Sequence, residues 1–155
     1  MKKIVILFLV FVCANLLAQT VTTLAGSGSH GFANGTGTAA SFKYPDGVAV
    51  DESGNVYVAD VENHLIRKIT SAGVVTTFAG SGSKGSEDGT GTAASFNYPI
   101  GVAVDSSGNI YVGGNLNHLI RKITSAGVVT TLAGSGSAGN EDGTGTAASF
   151  NRPLG

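Results

Sequence analysis

Val21-Thr22-Thr23-Leu24-Ala25-Gly26-Ser27-Gly28 is the stretch of sequence that decides the fold, because it occurs three times at a spacing of 54 residues. It returns at 75–82, with Phe78 in place of Leu24, and again without change at 129–136. Fixed periods of about this length are typical of solenoids, propellers and other repeat arrays. We therefore divide the chain into two full repeats, 21–74 and 75–128, and a partial repeat, 129–155.

Within one repeat, short β-branched and aromatic runs alternate with turn clusters. In the second repeat these runs are 101–104, 110–112, 118–124 and 128–133, and the segments between them are rich in Gly, Asn, Asp and Ser. This pattern predicts four short strands joined by tight turns. Four-stranded antiparallel units that repeat along a chain are typical of propeller blades. The sequence therefore predicts an all-β fold, a β-propeller with two full blades and partial ones beside them.

Each blade needs a neighbour on both of its faces, because one sheet cannot bury two apolar faces alone. Propellers close with about 4–8 blades, so two full blades leave two faces open. We expect this chain to be an N-terminal fragment of a longer propeller, whose last blade would pair with a strand formed by Val21–Ala25. Open faces and an unpaired strand also predict self-association of the fragment.

The first eighteen residues have the pattern of a secretory signal peptide. Lys2 and Lys3 precede an apolar run, Ile4–Leu17, which is shorter than the roughly 20 residues of a membrane-spanning helix. We predict a signal peptide at 1–18 and a mature propeller fragment at 19–155, secreted, periplasmic or on the cell surface. An uncleaved membrane anchor is the alternative. Cys13 is the only cysteine and lies within the signal, so no disulfide is predicted.

The charge balance argues against a nucleic-acid partner. Without Lys2 and Lys3 the chain has seven basic and ten acidic side chains, a net charge of −3. Nucleic-acid-binding domains normally carry a basic stripe. A mildly acidic mature chain therefore predicts neither DNA nor RNA as ligand.

Two tripeptides carry a resemblance to a known family: Asn63-His64-Leu65 and Asn117-His118-Leu119. Together with their surroundings, Tyr44–Asp51, Gly54–Asp60 and Leu65–Ile69, they resemble NHL repeats. The insert Asp88–Pro99 resembles the longer connection common in secreted bacterial NHL proteins. The resemblance extends over 20–155 and implies a six-bladed propeller similar to the TolB-like group. It implies no single activity, since related propellers include protein-binding scaffolds, RNA binders, lyases and lactonases.

Residues that recur in both repeats are interpreted as structural, because a catalytic residue need not appear in every blade. His64 and His118 are expected to bond backbone, Asn63 and Asn117 to cap turns, and Leu65 and Leu119 to complete the repeat signature. Asp51 and Asp105 are expected to form Asx-type turns.

The pairs Arg67-Lys68 and Arg121-Lys122 are interpreted as solvated charge, with an anion-binding stripe as the alternative. The segments 34–37, 88–91 and 142–145 are interpreted as tight turns, followed in the second copy by a short helical turn after Thr92. They lack the alternating carboxylates of a calcium loop, so neither metal nor cofactor is predicted.

Comparison of the two full repeats identifies a candidate ligand surface. They differ at 13 of 54 positions. Ten of these lie in the connection into the first strand and in the turn between strands two and three, which should share one rim. We predict that this rim binds ligand, with drift of exposed loops as the alternative. The candidate residues are acidic in the first blade and apolar or neutral in the second: Asp46, Asp60 and Glu62, then Ile100, Asn115 and Leu116.

Three functions are compatible with these patterns. The first is a binding scaffold for protein or glycan at the variable rim. The second is a passive structural array on the cell surface, favoured by the near-identity of the repeats. The third is a metal-dependent lactonase, hydrolase or lyase with its site in the central channel. Asp46, Ile100 and Leu154, which occupy the same position in successive repeats, do not provide the converging ligands that a metal enzyme needs.

Overall fold

A computed structural model describes residues 20–154, which form two five-stranded antiparallel sheets. The predicted signal peptide and Cys13 lie outside the described residues. None of the helices in the described range is long and apolar enough to cross a membrane.

The strands, numbered in chain order, are β1 (Gly35–Thr36), β2 (Pro45–Val50), β3 (Val56–Asp60), β4 (Leu65–Ile69), β5 (Val74–Ala79), β6 (Gly89–Thr90), β7 (Pro99–Val104), β8 (Ile110–Gly114), β9 (Leu119–Ile123) and β10 (Val128–Ala133).

The two sheets have the same strand order, which confirms the predicted propeller blades. The first blade is ordered β1-β5-β4-β3-β2 and the second β6-β10-β9-β8-β7. In both, four successive strands form the predicted meander, and a fifth strand of two residues joins its outer edge. Gly35 pairs with Val75, and Gly89 pairs with Val129. The expectation that these glycines lie only in tight turns was therefore wrong, because their backbone joins the sheet before a 3-10 helix at Gly37–Ala39 or Gly91–Ala93.

The main core lies between the blades. Strands β2 and β3 of the first blade pack against β7 of the second. Apolar side chains from both sheets fill this layer, since every second residue of a strand faces the same side. The buried members are Tyr57, Ala59, Val61, Ile66, Ala79, Ala94, Phe96, Ile110, Val112, Ile123 and Val129.

The first blade has a second apolar face that the rest of the described chain covers only in part. Val58, Ile69 and Val75 are buried there beneath Ala40 and Phe42, whereas Val48 is 62% exposed. Ala25 packs against this face, but within residues 20–154 the segment Val21–Ala25 pairs with no strand. Its predicted partner strand, in a closing blade, therefore stays a prediction.

Replacing Ile66 by Ala tests the interblade core with a matched control in the other repeat. Ile66 is fully buried, so the substitution should lower the free energy of unfolding by about 2–5 kcal/mol. Ile120 occupies the same position one repeat later and is only partly buried, so Ile120→Ala should cost clearly less. Urea denaturation would measure both, and equal losses would contradict this account of the core.

Candidate functional site

Backbone hydrogen bonds bring the predicted rim segments together in both blades. The Glu62 amide donates to the Lys43 carbonyl at 3.2 Å, and the Leu116 amide donates to the Asn97 carbonyl at 3.3 Å. The turn between strands two and three thus lies beside the entry to the first strand. We call this end of the blades, with Asp46, Glu62, Ile100, Asn115 and Leu116, the variable rim.

The connection into each blade does not stay at this rim, however. It runs to the opposite end of the sheet, where the Gly37 amide donates to the Gly73 carbonyl at 2.9 Å, and then returns. Ala33 and Asn34 consequently lie beside the middle of β4, where both accept hydrogen bonds from Arg67. The expectation that the whole connection into the first strand lies on one rim was therefore wrong.

Five of the six predicted ligand-rim side chains reach the surface to different extents. Asp46 and Leu116 are exposed, whereas Glu62, Ile100 and Asn115 are partly buried. Glu62 forms an ion pair with Lys43 at 3.2 Å. Ile100 packs against the interblade core. The rim therefore offers charged and apolar groups within two neighbouring blades.

Asp60 is the exception, and its prediction as a ligand-contacting residue was wrong. Its side chain is fully buried and forms an ion pair of 2.9 Å with Arg67, which is equally buried. Its carboxylate also accepts hydrogen bonds from the Lys43 amide at 2.7 Å and from Asn63 Nδ2 at 2.9 Å. These bonds satisfy the carboxylate inside the blade and leave none of it for a ligand.

The recurring arginines were expected to be solvated, and this too was wrong. Arg67 is 0% exposed and Arg121 is 1% exposed. Both donate to carbonyls of the incoming connection, and each guanidinium lies over a phenylalanine ring, Phe42 or Phe96, at 5.2 or 5.3 Å. Arg67 and Arg121 thus fasten the connection to the blade from inside.

Each buried arginine has one carboxylate partner, but the two blades supply it from different positions. Arg67 pairs with Asp60 and also donates to the amide oxygen of Asn34. One repeat later Asp60 becomes Gly114 and Asn34 becomes Asp88, which pairs with Arg121 at 2.7 Å. A buried guanidinium without a counter-charge is costly, so these two sequence differences compensate each other and are structural.

Three other differences are also at residues with a structural contact, and two of them, at Lys43 and Glu62, are coupled. The ion pair between Lys43 and Glu62 is replaced by Asn97 and Leu116. His30 lies 4.9 Å from the ring of Tyr44, and Lys84, at the equivalent position, lies 5.0 Å over Tyr98. Reading the thirteen differences in pairs, rather than one by one, would have revealed the buried arginine pairs from sequence.

The histidines of the repeat signature bond backbone, as predicted, and the bond joins neighbouring units. His64 Nδ1 accepts a hydrogen bond from the Tyr98 amide of the second blade at 3.2 Å. His118 Nδ1 accepts one from the Arg152 amide of the partial repeat at 3.1 Å. Burial, reinforced by the nearby positive charge of Lys84, lowers the pKa of His64 below its ordinary value. The neutral ring that this favours is the form that can accept the bond.

The recurring aspartates form the predicted turns at the rim opposite the variable one. Asp51 accepts hydrogen bonds from the amides of Ser53 and Asn55, and Asp105 repeats the arrangement. The side-chain bond from Asn109 is the main cause that lowers the pKa of Asp105 to about 2. Within residues 20–154 no group of three His, Cys, Asp or Glu side chains is placed to hold a metal ion.

Comparison with family models identifies the repeats. Residues 42–69 match the NHL repeat, and residues 90–120 match a beta-propeller repeat. The chain is 40% identical over 95 residues to NHL repeat-containing protein 2 of Gallus gallus, an alignment that includes 60% of this chain and 13% of that protein. It is 34% identical over 91 residues to the chloroplastic protein SUPPRESSOR OF QUENCHING 1 of Arabidopsis thaliana, or 58% of this chain and 9% of that protein.

Two solved structures from Bacteroides thetaiotaomicron share the fold. A structural genomics protein of unknown function is 35% identical, with a TM-score of 0.61 over 65% of this chain and 26% of that one. An auxiliary nutrient binding protein is 26% identical, with a TM-score of 0.61 over 68% of this chain and 30% of that one. The chain therefore spans less than a third of the solved propeller proteins that it resembles.

Asp60→Asn should strongly destabilise the first blade, because it leaves Arg67 buried without a carboxylate. We expect a loss of about 3–5 kcal/mol in the free energy of unfolding, measured by urea denaturation. Asp88→Asn is the matched change in the second blade, where the aspartate side chain is 50% exposed and water can replace part of the lost interaction. Equal effects of the two substitutions would contradict the burial argument.

Acid should weaken the hydrogen bond from the Tyr98 amide to His64. Because the folded state lowers the pKa of His64, the unfolded chain takes up the proton first as the pH falls below about 6.5. The free energy of unfolding should therefore fall as the pH decreases from about 7.5 through 6.5. His64→Asn tolerates the left-handed backbone at this position, where φ is 56°, and should lose part of this pH dependence. An unchanged dependence would contradict the role of His64.

Proposed function

The chain is an NHL-repeat β-propeller protein, and on that basis we propose that it is a secreted, periplasmic or cell-surface binding scaffold that takes a protein or glycan ligand at its variable rim. The proposal rests on the contrast between the structural contacts that repeat in both blades and the exposed residues of the variable rim. The buried arginine, the histidine bond and the Asx turn recur in both blades, whereas the exposed rim residue Asp46 changes with no compensating change in a contact partner. Asp46 becomes Ile100 at the entry to the first strand.

One solved relative supports a binding role. The Bacteroides thetaiotaomicron protein that is 26% identical is described as an auxiliary nutrient binding protein. A protein that captures a ligand outside the cell needs an exported chain, and the pattern of residues 1–18 fits export.

A structural array on the cell surface is the second candidate. It is favoured by the close similarity of the repeats, which differ at only 13 of 54 positions. An array would need no ligand, so mutations at the variable rim would leave every interaction of the chain unchanged. A binding experiment with matched rim variants therefore separates the two functions.

The full chain should bind at least one component when it is applied to arrays of bacterial and plant glycans and of extracellular proteins. The double variant Asp46→Ala/Leu116→Ala removes two exposed side chains of the variable rim and should reduce that binding by about tenfold or more. The matched variant Glu52→Ala/Ser106→Ala changes two exposed residues in turns of the opposite rim and should leave it unchanged. Equal effects of both variants, or no binding at all, would contradict the proposed function.

A further inference from the structure

A cleft of about 440 Å³ lies between the first blade and the connection that leads into the second. The connection contributes Gly80–Ser83 and Thr92, and the first blade contributes Phe32, Glu62 and Asn63. The two walls are close, since a Cβ built on Gly80 would lie 2.6 Å from the His64 carbonyl oxygen. Gly80 therefore has no room for a side chain, and the connection lies directly on the blade.

A second cavity, of about 720 Å³, lies at the corresponding place one repeat earlier. It includes Gly26–Ser29 and Thr38, which are the repeat equivalents of Gly80–Ser83 and Thr92. Its lining has no counterpart of Phe32 or Glu62. The smaller cleft therefore has both of its walls in the described residues.

Phe32 makes the wall of the smaller cleft unusual. Its side chain is 71% exposed, although a phenylalanine normally buries its ring. The adjacent Gly31 carbonyl accepts a hydrogen bond of 2.7 Å from Asn63 Nδ2, which fastens this segment to the blade. An exposed aromatic ring on an anchored segment is suited to stacking against a ligand.

Polar groups surround this ring. Glu62 provides a carboxylate that Lys43 orients at 3.2 Å, and Asn63, Ser81 and Ser83 line the same cleft. A flat apolar ring among carboxylate, amide and hydroxyl groups matches a sugar ring, which has an apolar C–H face and hydroxyl groups at its edge. The Lys43–Glu62 pair is neutral overall and so does not favour an anionic ligand, and the volume lies in the range of small-molecule sites.

We propose that this cleft is a subsite for one ring of a neutral oligosaccharide, with Phe32 as the stacking platform and Glu62 as a hydroxyl acceptor. The inference rests on the proposed binding function and narrows its ligand to the glycan class. The next repeat supplies an internal control, because Ser86 and Leu116 replace Phe32 and Glu62 there. The corresponding cleft of the second blade therefore has neither the platform nor the acceptor.

Cellohexaose, xylohexaose, laminarihexaose and mannohexaose would be titrated into the full chain by isothermal calorimetry. At least one should bind, and Phe32→Ala should weaken it by about tenfold, the size of a good aromatic contact. Glu62→Gln should also weaken binding, whereas Ser86→Ala should not. Because Phe32 is mostly exposed, its replacement should leave the thermal unfolding midpoint unchanged.

A gain-of-function variant tests the same subsite independently. Ser86→Phe combined with Leu116→Glu should add a second binding equivalent for the same sugar. Binding of no probe, or an affinity unaffected by Phe32→Ala, overturns the subsite. If sugar binding responds to Asp46→Ala/Leu116→Ala but not to Phe32→Ala, the rim function stands and the subsite falls. If the four sugars fail but a protein on the array binds at the variable rim, the proposed function again survives without the subsite.

Discussion

The rest of each blade depends on one requirement: the buried guanidinium of its arginine needs a carboxylate partner. Arg67 and Arg121 reach through the blade to the carbonyls of the incoming connection, and that connection forms both the outer strand and the entry to the rim. Removing the counter-charge would leave a cation in an apolar layer. In the first repeat the carboxylate is that of Asp60 on β3, and in the second it is that of Asp88 in the connection.

This constraint distinguishes the residues that are repeated because every blade must pack from the residues that can vary between blades. The core between the blades, the histidine bond to the next unit and the Asx turns are repeated because every blade must pack in the same way. Asp60 looks variable in sequence, but its change to Gly114 is compensated by that of Asn34 to Asp88. Asp46 and Phe32 change without such compensation, and they are therefore the positions to which we assign ligand binding in the proposal.

The period of 54 residues was enough to predict the blades, the strand order along the meander and the roles of His64 and Asp51, since these depend on local pattern. Burial of Arg67 could not be predicted from its own residue type, because arginine in a short strand is usually solvated. Only the paired change at two distant positions signals it. The two-residue strands and the cleft beside Phe32 arise from long-range packing of the connection. Within this segment no alternation of apolar and polar residues predicts a strand.

The most direct test moves the carboxylate partner of Arg67 from β3 to the connection, where the second blade has it. Asp60→Gly, Asn34→Asp and the double variant would be compared by urea denaturation in a double-mutant cycle. If one carboxylate on Arg67 is what the blade requires, Asp60→Gly alone should destabilise strongly, and adding Asn34→Asp should recover much of the loss. Strictly additive effects of the two substitutions would contradict the account, because they would mean that the two positions do not share one arginine.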